Sequence, residues 1–169
     1  MYRSIQEFLD DWARESALTM KVLSALTDAS LSQQVTANRG RTLGELAWHL
    51  VTSVTGMLGA GELQVEGAGF DAAAPGSAQE IADSYKKVSD AAAAALKREW
   101  TDAKLSEKLL LFGTIDTTCG GLLNLVVRHQ IHHRGQMTVL MRQAGLRVPG
   151  IYGPSREEWA EMNMQAPTV

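Results

Sequence analysis

The sequence contains 169 residues, which is enough for one domain with a hydrophobic core but short for two. Its formal net charge is −3 and no basic block occurs, which argues against nucleic acid as a partner. No apolar run has the length of a membrane span, the N-terminal segment is too acidic for a signal peptide, and the single cysteine excludes an intramolecular disulfide. We therefore expect one domain over residues 1–169, located in the cytoplasm, with no membrane or nucleic-acid partner.

The first predicted helix extends from about Ser4 to Leu26. Ser4 and Glu7 fit a capping box at its start. Apolar residues then recur at three- and four-residue intervals, which predicts one buried face. This face comprises Ile5, Phe8, Leu9, Trp12, Met20, Leu23 and Leu26. The polar segment from Thr27 to Arg41 predicts a connection with one short helical turn near Leu31.

The second predicted helix begins at Thr42 and ends near residues 59–61. Thr42 and Glu45 fit a second capping box. Glu45 also lies one turn before His49, so a contact with that imidazole is the alternative role of its carboxylate. The inward face comprises Leu46, His49, Leu50, Val54, Met57 and Leu58. Residues 62–76 are rich in Gly and Ala and predict a long loop.

The third predicted helix begins at Ser77, with Glu80 three residues further on. Its buried face comprises Ile81, Tyr85, Val88, Ala92, Ala95 and Leu96. The alanine-rich run at residues 91–95 would allow a neighbouring helix to approach closely. Residues 101–116 are irregular, and the apolar run at 109–112 predicts a short strand or a loop folded over one end of the helices.

The fourth predicted helix extends roughly from Thr118 to Ala144. Gly145 is typical of the residue that follows a helix, and Pro149 prevents continuation. Residues 155–158 fit a capping box for a short last helix. Four long helices with three connections predict an all-α fold, a four-helix bundle with a short C-terminal helix.

All 4 histidines of the chain lie in the second and fourth helices. His129 and His133 are four residues apart, so both imidazoles share one helix face, about 6 Å apart along the axis. This spacing suits one divalent metal, and His49 would add a third ligand and leave an open coordination position. Histidines packed in the core are the alternative interpretation. His132 competes with His133, because residues three apart also share a face.

Other residues around the histidines have two candidate roles each. Gln136 would hydrogen-bond a water or substrate, or pack within the bundle. Arg134 points about 100° away from His133, which predicts a surface ion pair or a subunit contact. A glycine inside a helix costs about 1 kcal/mol, so Gly135 indicates the close approach of another helix. Tyr152 lies in a Gly- and Pro-rich tail and would form a surface lid or pack near the site.

Cys119 stands at the predicted start of the fourth helix. A helix N-terminus lowers the pKa of a thiol, so Cys119 is a candidate nucleophile. A small buried side chain that fills the core is the more usual role of such a residue. We expect that second role, and we assign no catalytic residue from the sequence.

The segment His129-x-x-x-His133-Arg134-Gly135-Gln136, with Trp48-His49-Leu50 upstream, resembles the DinB/YfiT-like family of metal-binding four-helix proteins. The tail at residues 148–155, followed by Trp159, is similar to the C-terminal segment of that family. The resemblance implies that one divalent metal is bound by His49, His129 and His133. Zinc or nickel is favoured, with iron or copper as alternatives, because imidazole ligands suit all four and geometry decides. The family habit and the alanine-rich third helix also imply a homodimer.

Members of the resembled family include metal-dependent hydrolases and transferases that use low-molecular-weight thiols. A hydrolase needs a general base, and no convincing carboxylate occurs beside the histidines, whereas a metal itself stabilises a thiolate. The resemblance therefore favours a metalloenzyme with thiol-dependent transferase-type chemistry on a small-molecule substrate, with a low-molecular-weight thiol as candidate cofactor. A metal-dependent hydrolase and a non-enzymatic metal-binding stress-response protein are the alternatives.

Protons compete with the metal for each imidazole. An unperturbed histidine titrates near pH 6.5. From the sequence we expect metal affinity to fall steeply below about pH 6, approaching roughly a thousandfold per pH unit.

Overall fold

The computed structural model describes residues 2–35 and 40–168. The α-helices within these residues are α1 (Ile5–Leu23), α2 (Leu43–Ala60), α3 (Ala78–Glu99), α4 (Cys119–Gln143) and α5 (Arg156–Trp159). Two strands, β1 (Lys108–Leu111) and β2 (Ile115–Thr118), form an antiparallel hairpin between α3 and α4. Short 3-10 helices occupy Asp28–Ser30 and Asp102–Ser106. The predicted helical bundle with a short C-terminal helix is confirmed.

The four long helices pack so that α4 has a neighbour on two sides. α1 and α2 each pack mainly against α3 and α4. The apolar faces of all four helices are buried in one cluster, and the indole Nε1 of Trp12 donates to the carbonyl of Ser89 at 3.1 Å to join α1 to α3. Because α2 and α1 contact different faces of α4, side chains on both of those faces are buried.

Side-chain caps fix the starts of the first two helices. Ser4 Oγ accepts the Glu7 N–H at 3.1 Å, while the Glu7 carboxylate accepts the N–H of Arg3 at 2.6 Å, one residue earlier than the capping box predicts. Thr42 Oγ1 accepts the Glu45 N–H at 3.1 Å, and Glu45 accepts the Thr42 N–H at 2.7 Å. The Glu45 carboxylate is therefore engaged at the helix start, as the first of its two predicted roles requires.

The region between α3 and α4 forms the strand predicted as one alternative for residues 109–112. Leu111 pairs with Ile115, and the Leu111 side chain is buried. Phe112 and Gly113 close the turn with φ of 52° and 72°, the left-handed region in which glycine is favoured. The predicted connection from Thr27 to Arg41 contains the 3-10 helix Asp28–Ser30, and its residues 36–39 lie outside the described residues.

The end of α4 agrees with the prediction from Gly145. Gly145 has φ of 73°, and its N–H donates to the carbonyl of Arg142 at 3.0 Å. The N–H of Leu146 donates to the carbonyl of Met141 at 2.9 Å, which completes a Schellman motif. The chain turns back here, so that the tail after α4 returns to the bundle. No helix in the described residues is long and apolar enough to cross a bilayer.

Candidate metal centre

Three imidazoles meet between α2 and α4. Nε2 of His129 lies 3.2 Å from Nε2 of His49 and 3.1 Å from Nε2 of His133. One ring nitrogen from each of the three histidines lies within 4.8 Å of the other two. The ring planes are inclined to one another by 65–86°, so the nitrogens converge on one point instead of the rings stacking. The structure thus brings together the three histidines that the sequence singles out.

The register of α2 against α4 places His49 opposite the histidine pair. Gln130 follows His129 and is buried, with 1% of its surface exposed. Its amide Nε2 donates to the carbonyl of Leu50 at 3.1 Å and lies 3.3 Å from the hydroxyl of Ser53. Leu50 follows His49, so this contact sets the two helices in the alignment that the cluster needs.

Burial keeps the three imidazoles neutral at physiological pH. Burial lowers the pKa of His49 to about 4, and the positive charge of Arg41 and the neighbouring His133 add to this effect. Burial likewise lowers the pKa of His129 to about 4, followed by the effect of the neighbouring imidazoles. Burial also lowers the pKa of His133, although its hydrogen bond with Gln136 opposes the shift. Only neutral imidazoles carry the free lone pair that a metal requires.

The geometry of the cluster fits a metal ion. Zinc–nitrogen bonds of about 2.0–2.1 Å in a tetrahedral site separate neighbouring nitrogens by about 3.3 Å, close to the two separations observed. Nδ1 of His133 donates to Oε1 of Gln136 at 2.7 Å, which leaves Nε2 of His133 unprotonated and free to ligate. Nε2 of His129 lies close to two other ring nitrogens, but a ring nitrogen has either one N–H or one lone pair and can form one hydrogen bond. Hydrogen bonds alone therefore do not account for the cluster. Gln136 thus orients a candidate ligand, a more specific role than the two predicted for it.

Two other candidates lie outside the cluster. His132 is exposed, and its ring centroid is 4.9 Å from that of His133. Cys119 is buried at the first residue of α4, and burial raises the pKa of its thiol, which is the opposite of what a thiolate nucleophile needs. The predicted reason for Gly135 is wrong, because among the described residues nothing lies within 4 Å of a Cβ added there, so no described helix approaches it closely.

The surface position predicted for Arg134 is wrong. Its side chain is 2% exposed and forms an ion pair at 2.6 Å with Glu15 of α1, which is itself 6% exposed. The guanidinium also donates to the Glu15 carbonyl and the Thr19 hydroxyl, each at 3.0 Å, and to the Tyr152 hydroxyl at 2.5 Å. Tyr152 donates in turn to the Glu15 carboxylate at 2.6 Å. Tyr152 is therefore neither a free lid nor part of the histidine cluster, since it anchors the tail to the core.

The sequence analysis did not identify Arg41, a cation whose charge acts on all three histidines. The positive charge of Arg41 lowers the pKa of His49, His129 and His133. Arg41 is exposed and immediately precedes the N-cap of α2, two turns before His49. Its position on the turn before the helix is the signal that could have identified it. A cation here favours a bound anion over a neutral ligand.

The fold and the cluster define a helical-bundle protein with a three-histidine candidate metal centre. The DinB family model matches residues 1–166, and the chain belongs to the DinB family. The chain is 46% identical over 169 residues to the uncharacterized protein YrdA of Bacillus subtilis strain 168, with both chains covered completely.

Two solved structures resemble the chain. A DinB-like protein from Bacillus cereus ATCC 10987 has 46% sequence identity and a TM-score of 0.85, with 90% of this chain and 100% of that chain covered. The DinB-like protein YjoA from Bacillus subtilis has 22% identity and a TM-score of 0.65, with coverages of 89% and 99%, and this second likeness shows the fold alone.

Proposed function

We propose that this protein is a metalloenzyme that binds one divalent cation through His49, His129 and His133 and performs thiol-dependent transfer chemistry. The observation that carries the proposal is the convergence of three neutral imidazole nitrogens with separations of 3.1 and 3.2 Å. A divalent cation held there would act as a Lewis acid that lowers the pKa of a thiol or a water molecule. We favour zinc or nickel, with iron or copper as alternatives.

The charges around the cluster favour thiol transfer over hydrolysis. The groups that shift the pKa values of the three ligands are imidazoles, Arg41 and Gln136, and no carboxylate of the described residues is among them. A water nucleophile benefits from a carboxylate base, whereas a thiol of lowered pKa reacts without one. The carboxylate of Glu45, one turn before His49, is engaged at the helix start. The positive charge of Arg41 favours the thiolate anion.

Metal stoichiometry tests the ligand set. We expect one zinc ion per wild-type chain and loss of most of it in His129→Ala or His133→Ala, because either change leaves two ligands. His132→Ala is the matched control, since this exposed imidazole lies outside the cluster and the variant should keep full occupancy. Inductively coupled plasma mass spectrometry after dialysis gives the count. Full occupancy in the His129→Ala or His133→Ala variant would contradict the assignment.

The reaction is tested with a small thiol and an electrophilic aromatic chloride. The expected products are the aryl thioether and chloride ion, formed when a sulfur–carbon bond replaces the carbon–chlorine bond and the thiol proton passes to buffer. We expect the zinc-loaded protein to accelerate this reaction, and His129→Ala to remove the acceleration. Ester hydrolysis that needs zinc but no thiol would favour the hydrolase alternative. No metal-dependent rate with either substrate would favour the metal-binding stress-response protein.

The homodimer and the cytoplasmic location remain predictions.

A further inference from the structure

The long loop between α2 and α3 is anchored on α2 by two side-chain hydrogen bonds. The indole Nε1 of Trp48 donates to the carbonyl of Ala72 at 2.7 Å. The hydroxyl of Thr55 donates to the carbonyl of Ala68 at 2.6 Å. These two hydrogen bonds flank Phe70, so the loop holds the Phe70 backbone beside the middle of α2.

The ring of Phe70 is seated on a glycine of α2. A Cβ added to Gly56 would lie 1.9 Å from Cε2 of Phe70, so only glycine admits the ring at this position. Gly56 follows His49 by seven residues, which places it about 20° around the helix from His49 and two turns further along. Phe70 therefore lies on the side of α2 that carries His49. Residue Phe70 nevertheless has 49% of its surface exposed.

The helix that packs against α2 on the side of His49 is α4. The two helices are antiparallel, because His49 meets His129 while a Cβ on Gly61 would lie 2.3 Å from Cδ2 of Leu122. Leu125 precedes His129 by one turn, on the same side of α4, and is 37% exposed. Gly56 of α2 lies between His49 and Gly61, and Leu125 of α4 lies between His129 and Leu122, so both residues fall in the stretch bounded by these two contacts.

We propose that Phe70 and Leu125 form the apolar wall of a ligand site beside the three histidines, and that the ligand carries an aromatic or aliphatic group next to its reactive atom. This inference rests on the proposed function and adds the substrate class to it. A glycine in a helix interior lowers helix stability by about 1 kcal/mol. Core packing does not explain this loss at Gly56, because Phe70, the residue that Gly56 accommodates, stays half exposed. The two side chains are too small a surface for a stable dimer, which buries about 800 Å² per partner.

Binding of two thiols to the zinc-loaded protein tests the wall. The probes are 2-phenylethanethiol and ethanethiol, which share the thiol and differ in the phenyl group, and calorimetry measures both dissociation constants. We expect wild type to bind the phenyl probe more tightly. Phe70→Ala should weaken the phenyl probe by roughly 2- to 12-fold, the range for one aromatic contact, and leave ethanethiol unchanged. Gly56→Ala should have the same effect, because the new methyl group displaces the ring.

The chain offers a matched control for each variant. Phe112→Ala removes a ring that is 54% exposed at the hairpin turn, and Gly59→Ala adds a methyl with nothing within 4 Å, so neither should change either affinity. Equal affinity of wild type for both thiols would overturn the apolar wall while leaving the metal chemistry intact. Failure of zinc or of both thiols to bind would overturn the proposed function together with the wall. Unchanged phenyl affinity in Phe70→Ala, with weaker self-association by light scattering, would assign the patch to a subunit contact and overturn the inference.

Discussion

Replacing Arg134 with methionine is expected to lower the free energy of unfolding by about 3–5 kcal/mol. The guanidinium and the Glu15 carboxylate are both buried and pair at 2.6 Å. Methionine approximates the volume of arginine but leaves the carboxylate of Glu15 buried without its counter-charge, and loss of a partner costs more than the pair itself contributes. Urea denaturation followed by circular dichroism gives the change.

Three further variants distinguish the stability contributed by the buried Arg134–Glu15 pair from the general effect of a substitution on stability. Arg128→Met changes an exposed arginine of the same helix and should shift stability by less than about 0.5 kcal/mol. Tyr152→Phe removes one hydroxyl from the network and should cost about 1 kcal/mol. The double variant Glu15→Leu/Arg134→Met should recover much of the single loss, because no buried charge remains. Equal stability of the Arg134 and Arg128 variants would show that the pair does not contribute.

The same network links the tail to the orientation of α4. Arg134 faces α1, while its neighbour His133 faces His49 on α2. Contacts on both sides of α4 therefore fix its rotation about its own axis. Tyr152 joins this network from the tail, so that the segment after α4 stabilises the helix that carries two of the three candidate ligands.

The three histidines could be identified from the sequence by combining helical spacing, their clustering in two predicted helices and the family resemblance. Residues three or four apart on a helix share a face, so spacing placed both His132 and His133 beside His129, and the family resemblance favoured His133. The caps at Thr42 and Gly145 were equally local, and local patterns fix where helices begin and end. His49 was a candidate because all the histidines lie in two predicted helices, and the resemblance strengthened its pairing with the other two, because spacing within one helix does not determine its register against another.

Arg134 was misplaced because the prediction considered one face of α4. A helix between two neighbours buries two faces, and the direction about 100° from His133 points to α1. A signal was present on α1, where the predicted apolar face has no member between Trp12 and Met20. Glu15 and Thr19 occupy that gap and are 4% and 0% exposed. A buried carboxylate requires a cation, so this gap predicts a buried basic partner on a neighbouring helix.

The position of Phe70 was beyond the reach of the sequence for a different reason. Phe70 lies in a loop without a periodic pattern, and its position depends on long-range contacts. Phe70 is held through Trp48 and Thr55, whose partners are backbone carbonyls that any residue supplies. Periodicity identifies which residues of a helix are buried, but it gives no information on where a loop crosses that helix.

Metal affinity of the folded protein is expected to hold from pH 8 to about 5 and to fall steeply only below that value, approaching roughly a thousandfold per pH unit. Burial lowers the pKa of His49 and His129 to about 4 and also lowers the pKa of His133. The neutral forms of His49 and His129 therefore persist about two pH units further into acid than an unperturbed histidine allows. This window replaces the one near pH 6 that the sequence predicts. A zinc-competition titration with a chromophoric chelator at each pH measures it.

Stability should follow a different pH dependence from affinity. The unfolded chain takes up protons on its histidines near pH 6.5, while His49 and His129 of the folded chain resist protonation until about pH 4. The stability that depends on neutral imidazoles is thus present above about pH 6.5 and is lost as the pH falls toward 4, with or without zinc. Zinc bound only to the folded state adds RT ln(1 + [L]/Kd), which stays constant while affinity is constant. Melting temperatures with and without zinc should therefore decline in parallel, separated by a fixed interval, and converge below about pH 5. Coincident melting curves at every pH would mean that zinc does not bind, and convergence already near pH 6 would mean that the imidazoles titrate as exposed histidines do.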